Sequence, residues 1–345
     1  MIFVLAVAAA LWFVGRKMGT PVQARLIMIG LLYVAVLLAH AILPDDHPIR
    51  LALGETARDW VFLGVAVVAV WAYRKGLAFL RARVRDENRP KDELASASTE
   101  LERNARHIVL REIGGPGQKR LKSARVLVIG AGGLGAPALQ YLGAAGVGTI
   151  GVIDDDVVDN SNLQRQVIHT DDRIGMPKVF SAEVALKAQN PFGTVRPFNR
   201  RLTAEIAEDL FADFDLILDG TDDVETRYLV NEIAVRKGLP LVSAAISQWE
   251  GQISVFDPSR GAPCYACVFP EPAAAGLAPS CAEGGVLGPL PGVLGAMMAV
   301  EAIKVLTDAG DPLRGRMMIY DALYGDMRTI SAKRRSDCAI CGHLS

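Results

Sequence analysis

An unbroken apolar run, Val126-Leu-Val-Ile129, stops at Gly130-Ala131-Gly132-Gly133-Leu134-Gly135 and is followed by helix-forming residues from Ala136 to Ala145. A strand that ends in such glycines and opens a helix starts a βαβ unit, because glycine lets the backbone turn tightly and approach a phosphate chain. Free N–H groups at the helix N-terminus favour that negative charge. Thr149 to Ile153 supplies the next strand and ends in Asp154-Asp155-Asp156, where a carboxylate can hold a ribose hydroxyl. Further apolar runs at Asp215 to Leu218, Leu239 to Ala245 and Ile253 to Phe256 alternate with helical stretches at Lys178 to Gln189 and Glu225 to Lys237. The expected fold class is α/β, a Rossmann-like doubly wound, largely parallel sheet with helices on both faces.

The loop alone accepts a dinucleotide or ATP equally well. No Gly-x-x-x-x-Gly-Lys-Ser/Thr sequence occurs, which excludes a P-loop. Downstream stand Asn162, Arg165 and Gln166, then Lys178, then Asp222 after the strand Leu216-Ile-Leu218. Hydride transfer has little use for several cations here. Cleaving a triphosphate does, because Arg, Lys and a carboxylate-held magnesium ion neutralise charge developing on the departing pyrophosphate. A nicotinamide-dependent oxidoreductase accounts for Gly130 to Gly135 and Asp154 but leaves Arg165, Lys178, Asp222 and the cysteines unused. A third reading is a catalytically silent, metal-stabilised module that docks partners at a membrane.

The chain is 51% hydrophobic with a mean hydropathy of +0.25, and the excess lies at the N-terminus. Ile2 to Val14, Val22 to Leu43 and Trp60 to Leu80 are apolar stretches, and a spanning helix needs roughly 20 residues. Residues 1–80 are thus expected to form a membrane region with three transmembrane helices, and residues 81–100 a charged linker. Arg16, Lys17 and Arg25 lie between the first two stretches, and Arg74, Lys75, Arg81, Arg83 and Arg85 follow or interrupt the third. By the positive-inside rule everything after about residue 80 faces the cytoplasm, which places the protein in the inner (cytoplasmic) membrane. With 37 basic and 38 acidic residues, no overall charge recommends a nucleic-acid partner.

Four of the five cysteines form two Cys-x-x-Cys knuckles, Cys264-Tyr-Ala-Cys267 and Cys338-Ala-Ile-Cys341, whose spacing suits a closed tetrahedral structural zinc site. His343 is expected to be an exposed terminal residue. The fifth, Cys281, lies between the Pro/Ala-rich stretch Pro270 to Pro279 and Gly284-Gly285, in an expected loop.

These motifs in this order closely resemble the MoeB/ThiF/HesA family of ubiquitin-activating-type adenylyltransferases over roughly Leu101 to Cys341. Further matches are Arg103-Asn-Ala-Arg106-His-Ile, Gly146-Val-Gly148, Asn162-Leu-Gln-Arg165-Gln, Gly175-Met-Pro-Lys178, Asp219-Gly-Thr-Asp222 and Cys281-Ala-Glu-Gly-Gly-Val286. The resemblance implies that residues 101–345 form a ThiF-type adenylyltransferase domain. There the C-terminal glycine carboxylate of a ubiquitin-like sulfur-carrier protein attacks the α-phosphate of ATP. It implies that Gly130, Gly132, Gly133 and Gly135 cradle the nucleotide, that Asp154 holds the ribose, and that Asn162, Arg165 and Lys178 contact phosphates. Asp222 is expected to bind Mg2+, Arg106 to reach the partner site of a homodimer, and Cys281 to form a covalent sulfur intermediate in some members. The nearest expectation is the molybdopterin-synthase adenylyltransferase type, with thiamine thiazole synthesis as the alternative and sulfur coming from a separate donor. Where the family usually has Asn, this chain has Asp223, an added negative charge beside the expected triphosphate.

Overall fold

The computed structural model describes residues 2–44, 47–54, 56–87, 93–272 and 284–344, without the side chains of 2, 78–87 and 93–98. The chain divides into two compact units, Met1–Ala95 and Ser96–Ser345.

The first unit is helical: α1 (Ile2–Lys17), α2 (Val22–Ile42), α3 (Pro48–Leu53) and α4 (Ala57–Glu87). Pro48 starts α3 where a missing N–H costs nothing, and the His47 ring accepts from the Ile49 N–H at 3.3 Å. A small cluster of Val4, Val36 and Trp60 joins the helices. Polar atoms inside this unit close on the backbone: the Tyr33 hydroxyl donates to the Trp60 carbonyl at 2.7 Å, and the Trp60 indole donates to Leu53 at 3.2 Å. Outward positions such as Phe13, Leu31, Leu38, Phe62, Val65 and Trp71 are exposed and apolar.

By length and composition Val22–Ile42 and Ala57–Leu77 each suffice to cross a membrane, with only 17% and 6% of their apolar windows buried. Pro289–Thr307 meets the same measure, but half of its window is covered by the second unit, so it is a core helix. Helix α1 has 16 residues. At about 1.5 Å per residue it is about 24 Å long, short of a hydrocarbon layer of about 30 Å. Helix α4 runs on through Arg81, Arg83 and Arg85 to Glu87, into the stretch expected as linker, because arginine and glutamate are good helix formers.

The second unit is entered by α5 (Glu93–Ile108) and α6 (Gly114–Ser123) and is built on one sheet of eight strands. These are β1 (Arg125–Ile129), β2 (Thr149–Ile153), β3 (Thr194–Phe198), β4 (Leu216–Asp219), β5 (Leu241–Ile246), β6 (Glu250–Phe256), β7 (Arg316–Asp321) and β8 (Asp326–Ser331). Their order is β3-β2-β1-β4-β5-β6-β7-β8. The first five are parallel and the last three antiparallel, so the largely parallel expectation holds for the half that carries the glycine loop.

The helices are α7 (Gly135–Ala144), α8 (Lys178–Gln189), α9 (Ala204–Phe211), α10 (Val224–Lys237), α11 (Tyr265–Val268) and α12 (Pro289–Thr307). Val126 and Val128 pack in one core cluster with Leu139, Leu142, Leu294 and Met298, while Leu127 and Ile129 pack in another with Phe211, Val230 and Ile233. Strand β1 is thus buried on both faces, which is why its sequence is continuously apolar rather than alternating.

Candidate functional site

Strand register assembles the site. Ile129 pairs with Ile153 on one side and with Asp219 on the other. The loops that start at Gly130, Asp154 and Gly220 therefore leave one edge of the sheet together, at the switch in strand order where α/β sheets bind ligands. Gly130 has φ +87°, a conformation that favours glycine, and its N–H donates to the Ile153 carbonyl at 2.9 Å. A Cβ at Gly135 would sit 1.8 Å from the Gly130 carbonyl oxygen, so the loop closes only on glycine.

Asp154 holds this loop as well as facing it. One carboxylate oxygen accepts from the Ala131 N–H at 2.8 Å and the other from the Asp156 N–H at 2.8 Å. Burial pushes its pKa up, while the Lys178 charge and those two amides pull it back. Lys178 starts α8 and is 5% exposed, with its Nζ 2.7 Å from the carboxylate of Asp156. The Asp156 side chain is 69% exposed, so this is a resting partner that an anionic ligand can displace.

The Ala131 carbonyl is held in turn by His169, a residue outside the sequence motifs. His169 Nε2 lies 3.0 Å from that carbonyl and Nδ1 lies 2.9 Å from Ser181 Oγ on α8. A carbonyl only accepts, so Nε2 carries the proton and the Ser181 hydroxyl donates to Nδ1. Burial lowers the pKa of His169, and the nearby charges of Lys178 and Arg173 lower it further, which keeps the ring neutral.

Arg165 and Gln166 come against the loop from the other motif. A Cβ at Gly133 would lie 3.9 Å from Arg165 Cδ, and one at Gly132 would lie 3.7 Å from Gln166 Nε2. Arg165 donates to the Ser161 carbonyl at 3.1 Å, and Asn162 is half-buried beside it. Gln166 is 4% exposed and its Oε1 has no hydrogen-bond partner among the described residues. A glycine cradle and two cations fit a nucleotide polyphosphate.

The third loop carries Asp222, which is exposed and makes no ion pair or hydrogen bond among the described residues. Its neighbours are fixed: Asp219 accepts from the Thr221 N–H at 3.1 Å, and Thr221 Oγ1 accepts from the Asp223 N–H at 3.1 Å. Asp223 has partners of its own. It caps α10, accepting from the Thr226 N–H at 3.0 Å, and pairs with Arg201 at 3.2 Å. The Thr226 hydroxyl, its amide and Arg201 hold its pKa below the usual carboxylate range. Its charge thus meets a helix N-terminus, where an anion is favoured.

Arg106, on the last turn of α5, is exposed and makes no ion pair or hydrogen bond among the described residues. Cys281 lies outside the described residues. The remaining cysteines converge: Cys264 and Cys267 are 3.8 Å apart at sulfur, Cys264 and Cys338 3.6 Å, and Cys267 and Cys341 3.3 Å. All four are buried, and their sulfurs lie within 4.8 Å of one another. A disulfide requires about 2.05 Å, whereas four thiolates about 2.3 Å from one ion lie nearly 4 Å apart, so the set fits a tetrahedral metal ion. The Arg335 N–H donates to Cys267 Sγ at 3.4 Å, an outer contact suited to a thiolate. His343 is exposed, as expected.

A family model described as ThiF matches residues 104–340. Among curated proteins, the chain is 48% identical over 247 residues to the sulfur carrier protein adenylyltransferase of Thermus thermophilus, covering 70% of this chain and 91% of that protein. It is 46% identical over 249 residues to the SAMP-activating enzyme E1 of Haloferax volcanii, covering 72% and 92%. It is 52% identical over 250 residues to the probable adenylyltransferase/sulfurtransferase MoeZ of Mycobacterium tuberculosis, covering 71% of this chain but 64% of that longer protein. Among solved structures, E. coli MccB bound to MccA-N7isoASN superposes with a TM-score of 0.61 at 20% identity, covering 74% and 83%. PaaA gives the same TM-score at 23% identity, covering 84% and 92%, and at such identities the likeness is one of fold. With its glycine loop, the buried Lys178 paired to Asp156 and the family match across residues 104–340, this chain belongs to the ThiF family.

Proposed function

We propose that this protein is an ATP-dependent adenylyltransferase for the C-terminal carboxylate of a ubiquitin-like sulfur carrier. The observation that supports this reading is the sheet register that brings the loops starting at Gly130, Asp154 and Gly220 out at one edge, with Arg165 against Gly133 and the Lys178 charge acting on Asp154. The names of the Thermus and Haloferax relatives support the carrier as substrate. The carrier's carboxylate oxygen attacks the α-phosphorus, the bond to the bridging oxygen breaks, and pyrophosphate leaves with that electron pair. Arg165 and Lys178 offset the growing charge on the pyrophosphate, and Asp154 keeps the loop closed while accepting from a ribose hydroxyl. Asp222 would hold Mg2+, which screens the polyphosphate. Arg106 would act in the neighbouring subunit of a homodimer. Molybdopterin synthesis is the pathway favoured, with sulfur from a separate donor, and the cysteine set would hold Zn2+ as a structural clamp.

The test is exchange of labelled pyrophosphate into ATP with Mg2+ and a carrier ending in Gly-Gly. Exchange is expected with the full carrier and not with one lacking its last glycine. Absence of exchange with molybdopterin-type and thiazole-type carriers alike would remove the proposal.

The tether is a second part of the same reading. Helices α2 and α4 would cross the inner membrane and leave the ThiF domain in the cytoplasm. Full-length protein is expected to stay in the membrane pellet after alkaline carbonate, while a chain starting at Lys91 is soluble and keeps exchange within about threefold, since the domain has its own core. Release of the full-length protein by carbonate would show that nothing spans the bilayer.

A further inference from the structure

Arg227 and Tyr265 have no part in the chemistry above, yet they are among the most constrained side chains in the second unit. Arg227 lies on the first turns of α10, five residues after Asp222, and is 7% exposed. Its Nη1 donates to Ser243 Oγ at 3.2 Å and to the Ala244 carbonyl at 3.0 Å, both on β5. Nη2 donates to the Thr221 carbonyl, on the residue before Asp222. The carboxylate of Asp219, fully buried at the end of β4, lies 3.7 Å from Nη1 and accepts from Ser243 at 2.9 Å. The same carboxylate accepts from the Thr221 N–H. Arg227 and Asp219 therefore hold Thr221 on both sides of its Cα, by its carbonyl and by its N–H.

The guanidinium is in turn bounded by the knuckle. Its Cζ lies 5.9 Å from the ring centroid of Tyr265, which stands between the metal-site residues Cys264 and Cys267. Tyr265 is fixed on every side: its N–H donates to Asn231 Oδ1 on α10 at 2.8 Å, and its ring meets Tyr228, Phe256 and Phe269 at 5.3, 5.6 and 4.8 Å. An arginine over an aromatic face gains cation–π attraction and keeps its planar fork aimed.

We infer that Arg227 is a positioning residue that presents Asp222 to the nucleotide site, and that Tyr265 makes its aim depend on the cysteine knuckle. The cysteine knuckle thereby reaches the loop that carries Asp222 through two contacts, Tyr265 to Arg227 and Arg227 to Thr221. The step from Asp222 to catalysis rests on the proposed adenylation; the coupling from the knuckle to the loop does not.

The test uses the full chain in detergent with Arg227→Met, Tyr265→Leu and the ring-retaining Tyr265→Phe. Amide hydrogen exchange at residues 220–226 is expected to speed up about tenfold in the first two, stay near wild type in the third, and leave β1 protected in all three. Because a misplacement of about 1 Å can cost about a hundredfold, kcat for pyrophosphate exchange should fall about 10- to 100-fold with a raised Mg2+ requirement, and ATP KM should move less than about threefold. In an Asp222→Asn background neither substitution should add a further loss, since the residues act through that carboxylate. Unchanged amide exchange at 220–226, or losses that add fully to Asp222→Asn, would overturn the inference. If the wild type exchanges no pyrophosphate, the adenylation reading fails and the amide measurement alone decides the coupling.

Discussion

Replacing Lys178 with methionine is expected to lower kcat/KM for pyrophosphate exchange about 10²–10³-fold, equivalent to about 3–4 kcal/mol of transition-state stabilisation. Methionine matches the length and apolar stem of lysine, so the nearly buried start of α8 keeps its packing while the charge disappears. Asp156, the resting partner of Lys178, is left in solvent and costs little. The measurable companion effect is on pH. Burial already raises the pKa of Asp154, and the Lys178 charge is the largest influence opposing it, ahead of the Ala131 and Asp156 amides. Without Lys178 the folded-state pKa rises further above its unfolded value, so keeping Asp154 ionised in the folded protein costs more. That cost is present at neutral pH and vanishes below the unfolded value, near 3.8. The melting-temperature gap between variant and wild type should therefore shrink as pH falls from 7 toward 4. A loss in rate below fivefold would mean that Lys178 does not face the polyphosphate, and a gap that widens on acidification would mean that it does not offset the burial of Asp154.

The second large effect is structural. Replacing Cys264 with serine should remove one of four ligands from a site whose two halves are separated by 74 residues. Breaking such a clip restores the entropy of a long loop to the unfolded chain and leaves three buried sulfurs without their ion. A loss of about 3–5 kcal/mol is expected, which for a domain of this size lowers the melting temperature by about 6–20 °C. Metal analysis should find one zinc ion per wild-type chain and none in the variant. Wild-type protein without bound metal, melting at the same temperature as the variant, would show that the four thiols only pack.

The glycine loop, Asp154, Lys178 and both knuckles were legible in the sequence because each is a local pattern, set by a strand end, a helix start or a two-residue spacing. Residues that act across the fold were not. His169 and Arg227 read as single polar residues, and their partners, Ala131 for the first and Ser243 and Ala244 for the second, lie on other segments that only the fold brings near. Strand β3 escaped because Pro197 interrupts a half-buried run, and a proline demotes a strand to an edge, which is where β3 lies. Strand β8 is exposed along its whole length and carries no hydrophobic alternation. Asp223 was read by charge alone, whereas its effect depends on the helix start beneath it.

The order in which the two knuckles are made sets a schedule for the newborn protein. At roughly 5–20 residues per second, the second pair follows the first by roughly 4–15 s of synthesis. Through that interval Cys264 and Cys267 would have only half of the proposed coordination shell, after the parallel core has been translated. Capture of the proposed Zn2+ would thus be timed by the ribosome, and a nascent chain stalled between the pairs would carry the glycine loop with an unfinished anchor.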